Sequence, residues 1–298
     1  MPKHFLNIAD LSAETLRGIL DQAHALKKEK FSPPQLFEGL SLAMIFDKKS
    51  TRTRVSFEVA MKQLGGHTVV LNTNDIQISG AETIEDTAKV LSRFVDAIMV
   101  RMSDHDVLCE LASYATVPVI SGLTDHGHPC QIMADLLTIE EKLGDLKGKK
   151  IAWFGDYNNV TRSMVQASEK FGYEIIVAAP PALHGKIDAG TNFTADAKLA
   201  AKDADVLVTD TWVSMGQEGK DIEMFWPYQV NMDLLKLAKP HAIFMHCMPI
   251  HQGEEVTDEV LKSPASVIYD EAENRLHAQK AVLAWCLSES GVHVKKNA

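Results

Sequence analysis

A chain of 298 residues with 46% apolar content is long for one domain and suits two of about 150 residues, each with a sizeable core. Its formal net charge of −10 argues against a nucleic-acid partner and leaves any anionic ligand to be held by local arginines. No run approaches the roughly 20 apolar residues that cross a membrane, and Met1-Pro2-Lys3-His4 lacks the apolar core of a signal peptide, so a cytoplasmic protein is expected.

Residues 4–29 read as an opening helix with Leu16, Ile19, Leu20 and Ala23 on one face, broken by Ser32-Pro33-Pro34. Leu42-Ala43-Met44-Ile45-Phe46 is a continuous apolar run, the pattern of a buried parallel strand. Phe57, Ala60, Met61 and Leu64 then recur at helical spacing until Gly65-Gly66, which places Ser50 at the N-cap. A short strand, Thr68–Leu71, leads into a polar loop from Asn72 to Ala81. Ile84, Thr87, Ala88, Leu91 and Val95 mark the next helix, and Ala97–Val100 the next strand, with Arg101 at its C-terminal end. A helix near 105–115, the strand Val117–Ile120 and a helix from Gln131 to Leu143 close the first series. After the linker Asp145–Lys150 a second series begins at Ile151. It runs through a helix (160–171), the strand Glu174–Ala178, a helix near 195–203 and the strand Asp205–Thr209. A helix near 231–238 and the strand Ala242–Met245 follow. A last strand, Val267–Tyr269, precedes a long amphipathic helix from about Glu273 to Ser288. The alternation predicts an α/β protein of two doubly wound parallel-sheet domains joined by helices. The domains are expected over 1–132 and 133–298, with the last helix (about 273–290) returning to the first.

In such sheets ligands bind beyond the C-terminal ends of the strands. Ser50-Thr51-Arg52-Thr53-Arg54 opens a helix directly after a strand. Free N–H groups, the helix dipole and guanidinium forks favour a phosphate there without glycines. Arg101 and the loop Asp125-His126-Gly127-His128-Pro129-Cys130-Gln131 also follow strands and should meet that cradle in one crevice. Gly155-Asp156-Tyr157-Asn158-Asn159 has a single glycine where a dinucleotide fold needs several, which excludes a nicotinamide enzyme. Its asparagines cap the next helix or hold a substrate carboxylate. Asp210-Thr211-Trp212-Val213-Ser214-Met215-Gly216-Gln217 offers an acid, hydroxyls and a flexible glycine, which suit an ammonium group.

His246-Cys247-Met248-Pro249 follows another strand. Neighbours in an extended segment face opposite ways, so His246 is poorly placed to activate Cys247, and the thiol is expected to position rather than to form a thioester. Arg275 is expected at the start of the last helix. Cys109, Cys130, Cys247 and Cys286 lie far apart with no CxxC pair and read as free thiols of a reducing compartment. No metal-ligand spacing is present, and no metal is expected.

Assembled, these residues resemble the aspartate/ornithine carbamoyltransferase family over nearly the whole chain. The likeness rests on Ser50–Arg54, Asp75-Ile76-Gln77, Arg101, His128-Pro129-Cys130-Gln131, Gly155–Asn159, Asp210, His246–Pro249 and Glu271–Arg275. Ser214-Met215-Gly216 is the mark of the ornithine branch. The resemblance implies transfer of a carbamoyl group from carbamoyl phosphate to the δ-amine of L-ornithine, giving L-citrulline and phosphate without a cofactor. It implies that Ser50, Thr51, Arg52 and Thr53 hold the phosphate and that Arg101 bridges phosphate and carbonyl. His128 and Gln131 would orient the carbamoyl group, with Cys247, the backbone at Met248, and Arg275 closing over it. Asn159, Asp210, Ser214 and Met215 would hold ornithine. Gln77 would reach the site of a neighbouring copy, implying a homotrimer with shared active sites. The chemistry would fall to Arg52, Arg101, His128, Asp210 and Cys247.

Three positions depart from the family pattern: Lys49 where many relatives have Pro, Ile78-Ser79-Gly80-Ala81 where a Gly-Arg-Gly run is common, and Met248 in place of Leu. Two other readings compete with ornithine transfer. One is a sister carbamoyltransferase using another amine acceptor; the other is a catalytically silent relative that binds ligand.

Overall fold

The computed structural model describes residues 2–73, 82–213, 219 and 221–288. They form two compact units, one built from residues up to Leu137 together with the segment from Asn274, the other from Thr138–Glu273.

In the first unit Ser12 starts α1 (Ala13–Lys28) by accepting the Thr15 N–H at 3.1 Å, and Leu16, Ile19, Leu20, Ala23 and Leu26 form its buried face. The helix thus begins later than the predicted residue 4. Phe5 lies in an extended segment that bridges to Ile120. The sheet holds β1 (Ser41–Phe46), β2 (His67–Asn72), β3 (Ala97–Arg101) and β4 (Val119–Leu123) in the order β2-β1-β3-β4, all parallel. β1 and β3 are central and covered on both faces, which is why they read as unbroken apolar runs. β4 starts two residues later than predicted because Pro118 has no N–H for the ladder; its carbonyl accepts from Ile98 instead. Between the strands lie α2 (Thr51–Gln63), α3 (Ile84–Leu91) and α4 (His105–Tyr114), and α5 (Pro129–Leu143) follows β4. α5 begins at Pro129, a residue suited to a first helical position, two residues before the predicted start. Ile45, Ile98, Val100, Leu108 and Val119 form part of this unit's core.

The second unit contains β5 (Lys150–Phe154), β6 (Glu174–Ala178), β7 (Phe193–Thr194), β8 (Val206–Thr209) and β9 (Ile243–His246) in the parallel order β7-β6-β5-β8-β9. Its helices are α6 (Asn159–Phe171), α7 (Ala197–Ala201), α8 (Met232–Leu237) and α9 (Asp258–Leu261), with 3-10 turns over Pro181–Lys186 and Glu223–Tyr228. Phe154, Leu207, Val230, Phe244 and Val256 lie in its core. The two-residue β7 is too short to show a periodic signal.

The predicted strand Val267–Tyr269 is a correction. Only Ser266 bridges to Phe244, and α10 (Ile268–Leu287) already begins at Ile268. Three apolar residues fit either element, and here they open the helix. Among the described residues no helix is long and apolar enough to cross a membrane.

The two sheets share a feature that no sequence repeat announces. Ser41 and Asp96 exchange two bonds: the Asp96 N–H donates to the Ser41 carbonyl (2.9 Å) and the Ser41 N–H to the Asp96 carboxylate (2.7 Å). Lys150 and Asp205 repeat this pairing at 2.8 Å and 2.8 Å. Each aspartate anchors the start of the neighbouring central strand, and Leu42 opposes Ala97 as Ile151 opposes Val206. Without β7 the second sheet has the strand arrangement of the first. Five residues beyond each aspartate, where the strand ends, stand Arg101 and Asp210. One scaffold therefore presents a cation in one unit and an anion in the other.

Candidate active site

The first unit gathers a cationic cluster. Ser50 occupies the expected N-cap position of α2 in extended backbone (φ −152°, ψ 110°), with no capping bond from its hydroxyl to the helix. Thr51, Arg52 and Thr53 form the first turn. Thr53 is buried, and its Oγ1 accepts from Arg101 Nη1 (2.8 Å) and from Arg275 Nη2 (3.1 Å). Arg275 Nη1 donates to Gln131 Oε1 at 2.6 Å, and Gln131 Nε2 donates to Asp135 Oδ1 at 2.8 Å. With its amide turned to suit its neighbours, Gln279 accepts from Arg275 Nη2 at 3.0 Å and donates to Ser56 Oγ at 2.5 Å.

Arg275 lies two turns inside α10 rather than at its start, because the helix opens at Ile268. His128 is buried just ahead of α5. Burial, followed by the charges of Arg275, Arg101 and Arg52, holds its imidazole well below the usual histidine range. Arg52, Thr53, Arg101, His128, Gln131 and Arg275, drawn from four separate stretches, are thus neighbours. Buried guanidiniums beside an imidazole held neutral have the charge and donor geometry that favour an anion.

The loop that carries β1 into α2 is fixed from β3. Asp47 donates its N–H to the Arg101 carbonyl (3.1 Å) and accepts the Ser103 N–H (2.7 Å). Gln77, expected to serve a neighbouring copy, lies outside the described residues, as do Ile78-Ser79-Gly80-Ala81.

The second unit presents an acidic cluster at the ends of β5, β8 and β9. Asp210 follows β8 directly. Its Oδ1 accepts from the Cys247 thiol at 3.1 Å and its Oδ2 from Asn158 Nδ2 at 2.7 Å. Asn158 also caps α6, its Oδ1 accepting from the Val160 (3.0 Å) and Thr161 (3.1 Å) N–H groups. It is therefore Asn158 that holds Asp210, while Asn159 is the first residue of α6 and half-buried. Gly155 has φ +108°, and a Cβ there would stand 2.8 Å from Trp212 Nε1, so the lone glycine serves a tight turn against the indole. Ser214 and Met215 lie outside the described residues.

His246 is buried at the end of β9, with Nε2 3.1 Å from Glu255 Oε1 and Nδ1 accepting the Met248 N–H at 2.9 Å. Neither ring nitrogen is hydrogen-bonded to the thiol beside it; extended geometry predicts opposite faces for His246 and Cys247, yet a ring nitrogen lies within 4.8 Å of the sulfur.

Sequence spacing showed no metal set, yet the fold gathers two groups of metal-capable atoms within 4.8 Å of one another: Asp210, His246 and Cys247, and His251, Glu254 and Glu255. In the first group a metal would compete with the Asn158, Met248 and Glu255 bonds just described. Sequence reasoning missed Asn158 as the partner of Asp210, and it missed Asp135, Gln279 and Glu255. Asn158 meets Asp210 across 52 positions, whereas Asp135 bonds a residue 4 positions away and Glu255 bonds residues 9 and 4 positions away.

Residues 3–141 match the family domain described as aspartate/ornithine carbamoyltransferase, carbamoyl-P binding domain, and residues 147–286 match its Asp/Orn binding domain. The chain is similar to ornithine carbamoyltransferases of Brucella abortus (54% identity, 97% of each chain) and Nitrobacter winogradskyi (51% identity, 97% of this chain and 99% of that relative). Among solved structures it is similar to the ornithine carbamoyltransferase from Pyrococcus furiosus, with 50% identity, a TM-score of 0.90, and coverage of 97% of this chain and 98% of that one. Both halves match and coverage is nearly complete: the chain belongs to the aspartate/ornithine carbamoyltransferase family.

Proposed function

We propose that this protein transfers the carbamoyl group of carbamoyl phosphate to the δ-amine of L-ornithine, releasing L-citrulline and phosphate. The observation that carries the reading is the bonding of Thr53 to both Arg101 and Arg275 beside His128, within a chain about half identical to named ornithine carbamoyltransferases. The two domain descriptions divide the labour: the first unit takes carbamoyl phosphate and the second takes the amino acid.

Ser50, Thr51, Arg52 and Thr53 hold the phosphate, where the α2 dipole and guanidiniums favour it. Arg101 lies between phosphate and carbonyl, and His128 and Gln131 orient the carbamoyl group with Arg275. Arg101 and His128 face the carbonyl oxygen and stabilise the charge that develops when the amine adds to the carbon. The new C–N bond forms, the C–O bond to phosphate breaks, and phosphate leaves with the pair. Cys247 and the Met248 backbone are assigned to the carbamoyl group from the family resemblance, as Asn159, Ser214 and Met215 are to ornithine.

Ornithine's δ-amine should titrate like lysine, near 10.4, so presenting it neutral at pH 7.5 costs about 4 kcal/mol. Asp210, with Cys247 donating to it, binds the ammonium and places it; burial at the site favours the neutral nucleophile. The departing phosphate is the acceptor for the proton, since no side chain here is a dedicated base. The protein works without a cofactor, in the cytoplasm, as a homotrimer whose Gln77 serves a neighbouring copy. Val55, Val69 and Phe94, apolar yet exposed in the first unit, support association.

Substituting Arg52 by Ala tests the phosphate assignment. Citrulline formation should be lost with the melting temperature intact; retained turnover would overturn the assignment.

A further inference from the structure

We propose that His246 is a positioning residue for Cys247 and Asp210, acting as the Nε2–H tautomer with Nδ1 as the acceptor that fixes the turn at Met248. A backbone N–H can only donate. The Met248 N–H meets His246 Nδ1 at 2.9 Å, so that nitrogen offers a lone pair and the ring hydrogen stands on Nε2. There it meets Glu255 Oε1 at 3.1 Å, an oxygen that also accepts the His251 N–H at 2.7 Å. The backbone N–H of His246 donates in turn to Glu271 Oε2 at 2.8 Å. His246 and Glu255 are 0% exposed and Glu271 is 1% exposed, so this clamp works away from water, where such bonds hold best.

The clamp holds an unfavourable backbone. Met248 has φ +58°, a region that residues other than glycine rarely adopt. Cys247 stands between the two clamped residues, and its thiol reaches Asp210 Oδ1 at 3.1 Å. Asn158 holds the other Asp210 oxygen. Loss of the Met248–His246 bond lets the turn relax, and the thiol and carboxylate lose their mutual aim. His246 thus serves the reaction through its neighbours and touches neither substrate.

The kinetic arm of the test rests on the transfer reading above; two other arms do not. In His246→Asn the amide oxygen falls where Nδ1 stood and keeps the Met248 bond. In His246→Gln the longer amide reaches Glu255 but leaves Met248 without its acceptor. The expected result is kcat within about threefold of wild type for Asn and at least about tenfold lower for Gln, with KM for carbamoyl phosphate little changed and both assayed well below their melting temperatures. Iodoacetamide alkylation of Cys247, followed on its own peptide, should match wild type in the Asn variant and change several-fold in the Gln variant. Long-range 1H–15N correlation of histidine-labelled protein, assigned by the resonance missing in His246→Asn, should show the Nε2–H tautomer. A Gln variant whose kcat equals or exceeds that of Asn and whose alkylation rate matches wild type, or an Nδ1–H ring, would overturn the proposal. If wild-type protein makes no citrulline, the transfer reading fails, and the alkylation and tautomer results still decide the role of His246.

Discussion

Thr53 Oγ1 accepts hydrogen bonds from two guanidiniums, Arg101 at 2.8 Å and Arg275 at 3.1 Å. Residues 48 and 222 positions apart thereby meet on one hydroxyl in the first turn of α2. Like charges brought together need a shared acceptor, and the Thr53 hydroxyl supplies it.

Thr53→Val keeps the shape and removes that acceptor. Hydrogen bonds to charged groups contribute about 1.5–3 kcal/mol, so kcat/KM for carbamoyl phosphate should fall roughly ten- to a hundredfold. Thr53→Ser should restore most of it. Initial rates at varied carbamoyl phosphate measure both, and an unaffected Val variant would show that the hydroxyl does not organise the arginines.

Asn158 joins a stabilising cap to the acidic cluster, and two substitutions separate the roles. Asn158→Ala should cost about 1 kcal/mol of stability through the lost cap and should also raise KM for ornithine. Asn158→Asp keeps a capping oxygen but sets a second carboxylate against Asp210 in place of the 2.7 Å amide bond. Stability should then recover while ornithine use worsens further. Denaturant melts read the first effect and ornithine saturation curves the second.

Gly155→Ala adds a methyl 2.8 Å from the Trp212 indole at φ +108°. Backbone strain and overpacking each cost about 1–3 kcal/mol, so the variant should lose at least about 2 kcal/mol. Chemical denaturation monitored by tryptophan fluorescence gives the value.

Two groups make the fold lose stability on acidification, over different pH ranges. Burial pushes the Asp205 carboxyl up, but its bonds from the Lys150 N–H, Lys239 and His241 outweigh this and hold it below 3.8. A depressed carboxyl contributes stability above its unfolded value and loses it as pH falls through the folded one. Asp205→Asn should therefore weaken the protein at neutral pH and flatten the acid limb of its stability curve below pH 4 or so. His128 is held well below 6.5 by burial and then by Arg275, Arg101 and Arg52. As pH drops below 6.5 the unfolded chain takes up that proton first, so His128 costs stability progressively toward its folded value. Its NMR signal should not titrate between about pH 6 and 8; a midpoint near 6.5 would contradict its place among the three arginines.

The sheets were legible because parallel strands covered on both faces are continuous apolar runs, as Leu42–Phe46 and Val206–Val208 are. The positions of Arg101, His128 and Asp210 followed from the rule that ligands gather at strand ends. Val267–Tyr269 misled because a short apolar run opens a helix as readily as it forms a strand. Other features had no local signature. Gln131 and Arg275 bond across 144 positions, and the matching anchors Asp96 and Asp205 are single residues defined only by register. Glu255 carries no motif or periodicity in the sequence, yet it and Glu271 are buried and bond His246 at the turn that carries Cys247.

The most direct measurement is product formation from carbamoyl phosphate, with ornithine, acetylornithine, putrescine and aspartate compared as acceptors at equal concentration. Strong preference for ornithine is expected, with citrulline and phosphate formed in equal amounts. Preference for another amine would keep the Thr53 cluster and contradict the acceptor assignment. Tight binding of carbamoyl phosphate with no turnover on any acceptor would contradict transfer itself.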